Sequence, residues 1–236
     1  MIYFCLGRRL QGKTTLAYYI ARRLPRRMIF DPRGLIRSAQ SQVCRTTSEI
    51  QQVADALRDH EITEMIVTPR GSVESAFHAF CFEAQRWIEL HPREPIAILI
   101  DEVRFMDLNN EALDWVLRCS PVDTCHIIFT GHRPKDIPID IRGIADRWLL
   151  FSFTLPRDLD VIEEHCSPQV EREVRRLQSR QFVEWNDQVG KARVYLNPAV
   201  WYVPLTMHAT EIHQPDDTLS ELSPLETALD TLPLFE

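Results

Sequence analysis

The sequence predicts an α/β domain built on a doubly wound, mainly parallel sheet. Three observations lead to this prediction. Short apolar strands alternate with amphipathic helices through residue 154. Several of the strands are apolar at nearly every position, as is typical of parallel strands buried on both faces. A glycine-containing loop that ends in Gly-Lys-Thr joins the first strand to the first helix.

Turn residues and changes of hydrophobic period set the expected elements. Strands are predicted at 2–6, 27–31, 64–68, 95–101, 125–130 and 148–153, and helices at 14–24, 48–58, 73–90, 110–119, 139–145, 159–165 and 168–179. Residues 180–185 and 192–196, joined through Gly190, predict a closing C-terminal β-hairpin.

The chain of 236 residues suits one large domain with an appendage. Seven of its 34 acidic residues and none of its 27 basic residues lie at 205–236, so residues 1–204 carry no net charge. We therefore expect one domain at 1–204 and an acidic, flexible C-terminal tail at 205–236. No apolar run approaches the roughly 20 residues of a membrane span. The cysteines form no CxxC pair, which fits reduced thiols in a cytoplasmic protein.

Residues 7–14, GRRLQGKT, match the phosphate-loop pattern G-x-x-x-x-G-K-[ST]. Such a loop turns backbone N–H groups toward phosphate oxygens, beside a helix N-terminus whose dipole favours anions. Lys13 is expected against the β- and γ-phosphates of ATP, and the Thr14 hydroxyl on Mg²⁺. The residues predicted to bind the nucleotide are Gly7, Arg8, Arg9, Leu10, Gln11, Gly12, Lys13, Thr14 and Thr15.

The segment 96–102, IAILIDE, resembles a Walker B strand, an apolar strand that ends in paired acids. Asp101 is expected to hold Mg²⁺, usually through water, and Glu102 to polarise the attacking water. A phosphotransferase that acts on a small substrate has no need of a carboxylate to activate water. Glu102 therefore favours hydrolysis of ATP.

Polar residues also follow the strand CHIIFT, where residues 129–134 are FTGHRP. A polar residue at the tip of a strand next to the 96–102 strand can contact the γ-phosphate and report its hydrolysis. His132 is the first candidate for this sensor, and Thr130 is the second.

Together, GxxxxGKT, IFDPRG, ILIDE and TGHRPKDIPIDIRGIAD resemble the FtsK–HerA superfamily of DNA-pumping P-loop ATPases, of the RecA/ASCE-like type. Within it, the chain is most similar to genome-packaging ATPases of membrane-containing, tectivirus-like double-stranded DNA viruses. The resemblance covers about residues 1–200. Family members commonly carry Gln where this chain has His132, whereas the following positions match: Arg133, Pro134, Ile137, Pro138, Ile141 and Arg142.

The resemblance implies a hexameric or pentameric homo-oligomeric ring that hydrolyses ATP at subunit interfaces and moves double-stranded DNA without reading its sequence. It also implies capsid portal or vertex proteins as partners, and a location in the cytoplasm of a bacterial host and at the virion vertex. An arginine from the neighbouring subunit would complete each site. Four candidates stay open: Arg70, Arg133, Arg142 and Arg147.

Basic groups that could grip the DNA backbone form two clusters, at Arg22, Arg23, Arg26 and Arg27 and at Arg172, Arg175, Arg176 and Arg180. Two other functions remain as alternatives. One is a filamentous-phage assembly ATPase of the zonula occludens toxin type, a group whose members carry a membrane span. The other is a small-substrate P-loop phosphotransferase, which would leave Glu102 unexplained.

Overall fold

The computed structural model describes residues 1–197, so the tail predicted at 205–236 lies outside the described residues. The strands are β1 (Ile2–Leu6), β2 (Arg26–Phe30), β3 (Ser41–Cys44), β4 (Glu64–Val67), β5 (Ile96–Ile100), β6 (Cys125–Gly131), β7 (Arg147–Leu150), β8 (Gln181–Asn186) and β9 (Lys191–Leu196). The helices are α1 (Lys13–Ala21), α2 (Thr47–Arg58), α3 (Val73–Leu90), α4 (Glu111–Cys119), α5 (Ile139–Arg142), α6 (Pro156–His165) and α7 (Pro168–Arg176). No helix within residues 1–197 is both long and apolar enough to cross a bilayer.

All nine strands form one sheet, in the order β3-β4-β2-β5-β6-β1-β7-β8-β9. The first seven strands in this order are parallel, and β8 and β9 are antiparallel additions at one side. The predicted doubly wound, mainly parallel sheet and its C-terminal hairpin are confirmed. The chain has the fold of the P-loop NTPases.

The strand order brings three predicted site segments to one edge of the sheet. β6 lies between β1 and β5, with Leu6 of β1 beside Gly131 and Ile100 of β5 beside Phe129. Because these strands are parallel, the residues after each of them emerge at the same edge. The phosphate loop, the acid pair and the FTGHRP segment are therefore neighbours in space.

Aromatic packing on one face of the sheet fixes these strands. The Phe4 ring on β1 lies 5.4 Å from the Phe129 ring on β6 and 5.2 Å from the Trp148 ring on β7. On β2, the Phe30 ring lies 5.1 Å from the Phe77 ring of α3. All of these side chains are fully buried, and aromatic pairs at such distances stabilise the fold beyond their buried area.

The structure adds one strand to the sequence prediction and shifts several element bounds by a few residues. β3 was not predicted, because its sequence SQVC has no apolar alternation and only Cys44 in it is buried. α1 ends at Ala21 rather than at the predicted Leu24. The amide of Leu24 bonds the carbonyl of Ala21 in a tight turn, since Pro25 disfavours helical backbone at the residue before it.

Candidate nucleotide-binding site

The two fixed glycine positions of the loop favour glycine for different reasons, a close contact at Gly7 and a left-handed backbone at Gly12. A Cβ on Gly7 would lie 2.5 Å from Cβ of Phe151, the residue that follows β7. Gly12 has φ +90°, and a Cβ there would lie 2.6 Å from the Asn197 side-chain nitrogen. Asn197 Nδ2 donates to the Gly12 carbonyl at 3.1 Å. The loop is thus held from two sides, in a backbone shape that favours glycine.

The other side chains of the loop point away from the core. Arg8, Arg9 and Leu10 are exposed, and Gln11 donates through its amide to the Ser152 hydroxyl. Thr15, on the first turn of α1, is exposed as well. The backbone of the loop, rather than these side chains, is therefore the part suited to surround a phosphate group.

Lys13 is the buried cation of the loop, with 6% of its surface exposed. Its Nζ donates to the Arg8 carbonyl at 2.8 Å and lies 3.3 Å from His132 Nδ1. Burial lowers the pKa of Lys13, and the negative charge of Glu102 partly opposes this effect. A buried ammonium group next to a helix N-terminus is well placed for a strongly anionic ligand.

Asp101 receives two hydroxyl groups on one carboxylate oxygen. Thr14 Oγ1 donates to Asp101 Oδ1 at 2.8 Å, and Thr130 Oγ1 donates to the same oxygen at 2.6 Å. The other oxygen, Oδ2, is buried and has no hydrogen-bond partner within the described residues. Burial raises the pKa of Asp101, while the two hydroxyl donors act in the opposite direction. A fully buried carboxylate with one unsatisfied oxygen has a high desolvation cost.

This donor set fits Mg²⁺, a hard cation that prefers oxygen ligands and retains several waters. The Thr14 hydroxyl and the Asp101 carboxylate would hold the ion. Asp101 Oδ2 could bind it without first breaking a hydrogen bond to residues 1–197. Thr14 and Asp101, the two metal ligands predicted from the sequence, thus lie within hydrogen-bond distance of each other.

Glu102 has an unusual backbone conformation and a crowded carboxylate. Its φ is +59°, a left-handed conformation that costs a non-glycine residue roughly 1–2 kcal/mol. The Glu102 amide donates to Thr130 Oγ1 at 3.0 Å. Arg33 Nη1 lies 3.0 Å from Oε1, and Arg104 Nε lies 3.7 Å from Oε2. His132 Nε2 lies 2.9 Å from Oε1, but off the line of a hydrogen bond.

His132 therefore lies between the loop lysine and the catalytic candidate Glu102. Its Nδ1 is 3.3 Å both from Lys13 Nζ and from the Gly7 carbonyl. With hydrogen on Nε2, Nδ1 accepts from the Lys13 ammonium and Nε2–H faces the Glu102 carboxylate, whereas with hydrogen on Nδ1 the ring donates to the Gly7 carbonyl instead. Burial lowers the pKa of His132, and Lys13 lowers it further, which favours the neutral ring.

The four arginines proposed to act in a neighbouring subunit's site have different surroundings in the structure. Arg147 lies at the start of β7, whereas the nucleotide site lies at the strand's other end, and its guanidinium pairs with buried Glu184 at 3.0 Å. Arg147 therefore does not fit the role of an arginine that reaches a neighbouring site. Arg133 binds both carboxylate oxygens of Asp158 at 3.1 Å, so this candidate is occupied within its own chain.

The other two candidates differ in exposure. Arg70 is exposed, whereas Nε and Nη1 of Arg142 are buried without a hydrogen-bond partner among residues 1–197. Two arginines that the sequence reasoning missed, Arg33 and Arg104, contact Glu102 instead. Strand adjacency could have revealed Arg33, because it follows β2 and β2 pairs directly with β5.

Comparison with solved structures agrees with this fold. The genome packaging NTPase B204 from Sulfolobus turreted icosahedral virus 2, in complex with AMPPCP, is 16% identical with a TM-score of 0.66, over 83% of this chain and 96% of that one. B204, the DNA-packaging ATPase from Sulfolobus Turreted Icosahedral Virus, is 18% identical with a TM-score of 0.63, over 82% and 96%. At identities this low, the similarity shows a shared fold and nothing more.

A more distant structure is the N-terminal domain of zonular occludens toxin from Neisseria meningitidis. It is 12% identical over 85% of this chain and 96% of that one, and its TM-score of 0.42 is too low to bear on function. No protein-family model and no curated protein sequence matches the chain.

Proposed function

We propose that this protein hydrolyses ATP and uses the energy to move double-stranded DNA, as a viral genome-packaging motor. One observation supports hydrolysis most strongly. Asp101 and Glu102, adjacent at the end of β5, each keep one buried carboxylate oxygen without a hydrogen-bond partner among residues 1–197. Asp101 is bonded to Thr14 of the phosphate loop at 2.8 Å. One acid thus suits a metal ion and the other suits a water molecule.

The phosphate loop would bind the triphosphate through its backbone amides. Lys13 Nζ would exchange the Arg8 carbonyl and His132 for phosphate oxygens, which are stronger partners for an ammonium group. Mg²⁺, held by Thr14 and Asp101, would supply positive charge against the β- and γ-phosphate oxygens. Arg8 and Arg9, exposed at the loop, would face the outer side of the nucleotide.

Glu102 would orient and polarise the attacking water. For Oε1 to bind this water, it must give up its contacts with Arg33 and His132. Oε2 has no hydrogen-bond donor within the described residues and is already available to the water. The γ-phosphate is the competing partner for both hydrogen-bond donors, Arg33 and His132. His132 would then sense the γ-phosphate through Nε2–H, the role that Gln has in the related ATPases.

Two lines support coupling to DNA. The motifs of residues 1–200 resemble DNA-pumping ATPases, and two solved structures with a similar fold are a genome packaging NTPase and a DNA-packaging ATPase. A homo-oligomeric ring with DNA in its centre, portal or vertex partners and a place in the host cytoplasm follow from that assignment. Arg70 is the trans-acting arginine that we favour, because it is exposed and forms no side-chain bond within residues 1–197.

The alternatives differ in a measurable way. A small-substrate phosphotransferase should consume ATP only with its acceptor, and should work as a monomer. An assembly ATPase of the zonula occludens toxin type should not be stimulated by DNA. We therefore propose to measure ATP turnover and particle mass with and without duplex DNA. Turnover and assembly that both rise with DNA support the motor, and DNA-independent turnover of a monomer would contradict it.

A further inference from the structure

A groove at the carboxyl ends of β2, β3 and β4 lies beside the nucleotide site and plays no part in it. Arg37 and Arg45 line this groove together with the hydroxyl groups of Ser38, Ser41 and Thr68. None of the described residues that line it is acidic. Its chemistry, positive charge with hydrogen-bond donors, fits phosphate oxygens.

Neither groove arginine has a side-chain partner among the described residues. Arg37 and Arg45 are exposed, and neither side chain forms an ion pair or hydrogen bond within residues 1–197. Arg70, equally exposed, adjoins them, because its backbone amide donates to the Arg45 carbonyl at 2.9 Å. The acidic residue Glu49, on the first turn of α2, is close to Arg45, but its carboxylate accepts from the Arg45 backbone amide.

Six of the eight arginines in the two basic clusters noted in the sequence contact other side chains. On α7, Arg175 pairs with Glu171 and Arg176 lies 3.7 Å from Glu173, whereas Arg172 and Arg180 form no ion pair within residues 1–197. In the first cluster, Arg27 forms a buried pair with Glu64, and the remaining members contact neighbouring rings: Arg22 with Tyr18, Arg23 with Tyr19 and Arg26 with His60.

The groove shares one segment with the catalytic candidate Glu102. Arg33, which holds Glu102, immediately precedes the groove residue Gly34. Asp31 fixes this segment, because its two oxygens accept the amides of Arg33 at 3.1 Å and Ile36 at 2.6 Å. The segment 31–38 therefore connects Glu102 at one end to the groove at the other.

From this arrangement we infer that the groove of Arg37 and Arg45 binds the phosphate backbone of duplex DNA, and that segment 31–38 couples this contact to Glu102 through Arg33. The inference rests on the proposed function and names the surface that the function requires. Engagement of the groove would move Arg33 relative to Glu102 and thereby set the rate of hydrolysis. Arg33 is thus a positioning residue.

The test compares R37E/R45E with R93E/K191E. The control makes the same change of charge at exposed residues that lie at the opposite edge of the sheet and have no ion-pair partner among residues 1–197. Binding of a labelled duplex is measured at rising salt concentration, and ATP turnover with and without duplex. The measured quantity is the slope of log K, the association constant for the duplex, against the logarithm of the salt concentration. For R37E/R45E we expect the magnitude of this slope to fall by about two for each subunit in contact with DNA. Stimulation by DNA should disappear, with DNA-free turnover retained, while the control behaves as wild type.

Other outcomes separate the explanations. Wild-type salt dependence in R37E/R45E would overturn the groove and leave the motor function standing. If R37E/R45E lost DNA-free turnover but kept DNA binding, the groove would likewise not be the DNA-binding surface. Arg37 and Arg45 would then be assigned to the nucleotide of a neighbouring subunit. Wild-type protein that hydrolyses ATP without binding duplex would overturn both proposals. R33A should bind DNA as wild type does but show equal turnover with and without it, and retained stimulation would refute the coupling.

Discussion

The Thr130 hydroxyl connects the tips of β5 and β6, and its removal gives a sharp test of the site's geometry. In Thr130→Val the shape of the side chain is kept, but Asp101 loses one donor and the Glu102 amide loses its acceptor. A hydrogen bond to a charged group contributes about 1.5–3 kcal/mol, and an unsatisfied buried amide costs about 1–3 kcal/mol. Because the two effects share one hydroxyl and are not additive, we expect a loss of about 3 kcal/mol in the free energy of unfolding.

Urea denaturation measures this loss, with Thr130→Ser as the matched control. Serine keeps the hydroxyl and lacks only one methyl group, so we expect a loss of about 1 kcal/mol or less. Unfolding of Thr130→Val at the wild-type urea concentration would refute the bridging role of the hydroxyl. An equal loss in both variants would show that packing, and not hydrogen bonding, sets the stability at this position.

Three further predictions concern the site and its surroundings. Lys13→Ala should abolish ATP turnover and weaken nucleotide binding, whereas Glu102→Gln should lose turnover but keep binding, as titration with a labelled ATP analogue would show. Burial raises the pKa of Asp101, so this carboxyl group stays protonated to higher pH in the folded state than in the unfolded state. As pH rises and the group becomes charged, its burial therefore destabilises the fold. Asp101→Asn should therefore gain stability relative to wild type from about pH 4 upward in metal-free buffer, and a constant difference across pH would contradict this. Arg147→Met alone should cost about 3 kcal/mol, because it removes the buried partner of Glu184 and leaves this carboxylate only its interactions with Arg193 and Tyr195, whereas the double change with Glu184→Met should restore most of the stability and keep DNA-stimulated turnover.

The sequence was most informative where a backbone requirement restricts the residue type. The phosphate loop could be recognised because Gly7 and Gly12 occupy positions where a side chain would collide with Phe151 or Asn197. The ends of β5 and β6 could be recognised because long apolar runs stop abruptly at polar residues. These features depend on local sequence, and the structure places them together as expected.

Features that depend on contacts between distant segments were not accessible in the same way. Arg33 is 69 positions from Glu102, and nothing in DPRG alone indicates that its guanidinium lies 3.0 Å from that carboxylate. Arg147 looked available because it stands near a strand end, but the register of β7 with β1 puts it at the edge away from the site. β3 was missed because an edge strand needs little apolar sequence.

The proposed hydrolysis requires that ATP bind on the loop of residues 7–14 beside the Asp101–Glu102 pair. A crystal structure of Glu102→Gln with ATP and Mg²⁺ would show where the nucleotide lies. We expect the β- and γ-phosphates against the amides of residues 7–14 and Lys13 Nζ, with Mg²⁺ near Thr14 and Asp101. A nucleotide bound elsewhere, or phosphates remote from the two acids, would contradict the claim.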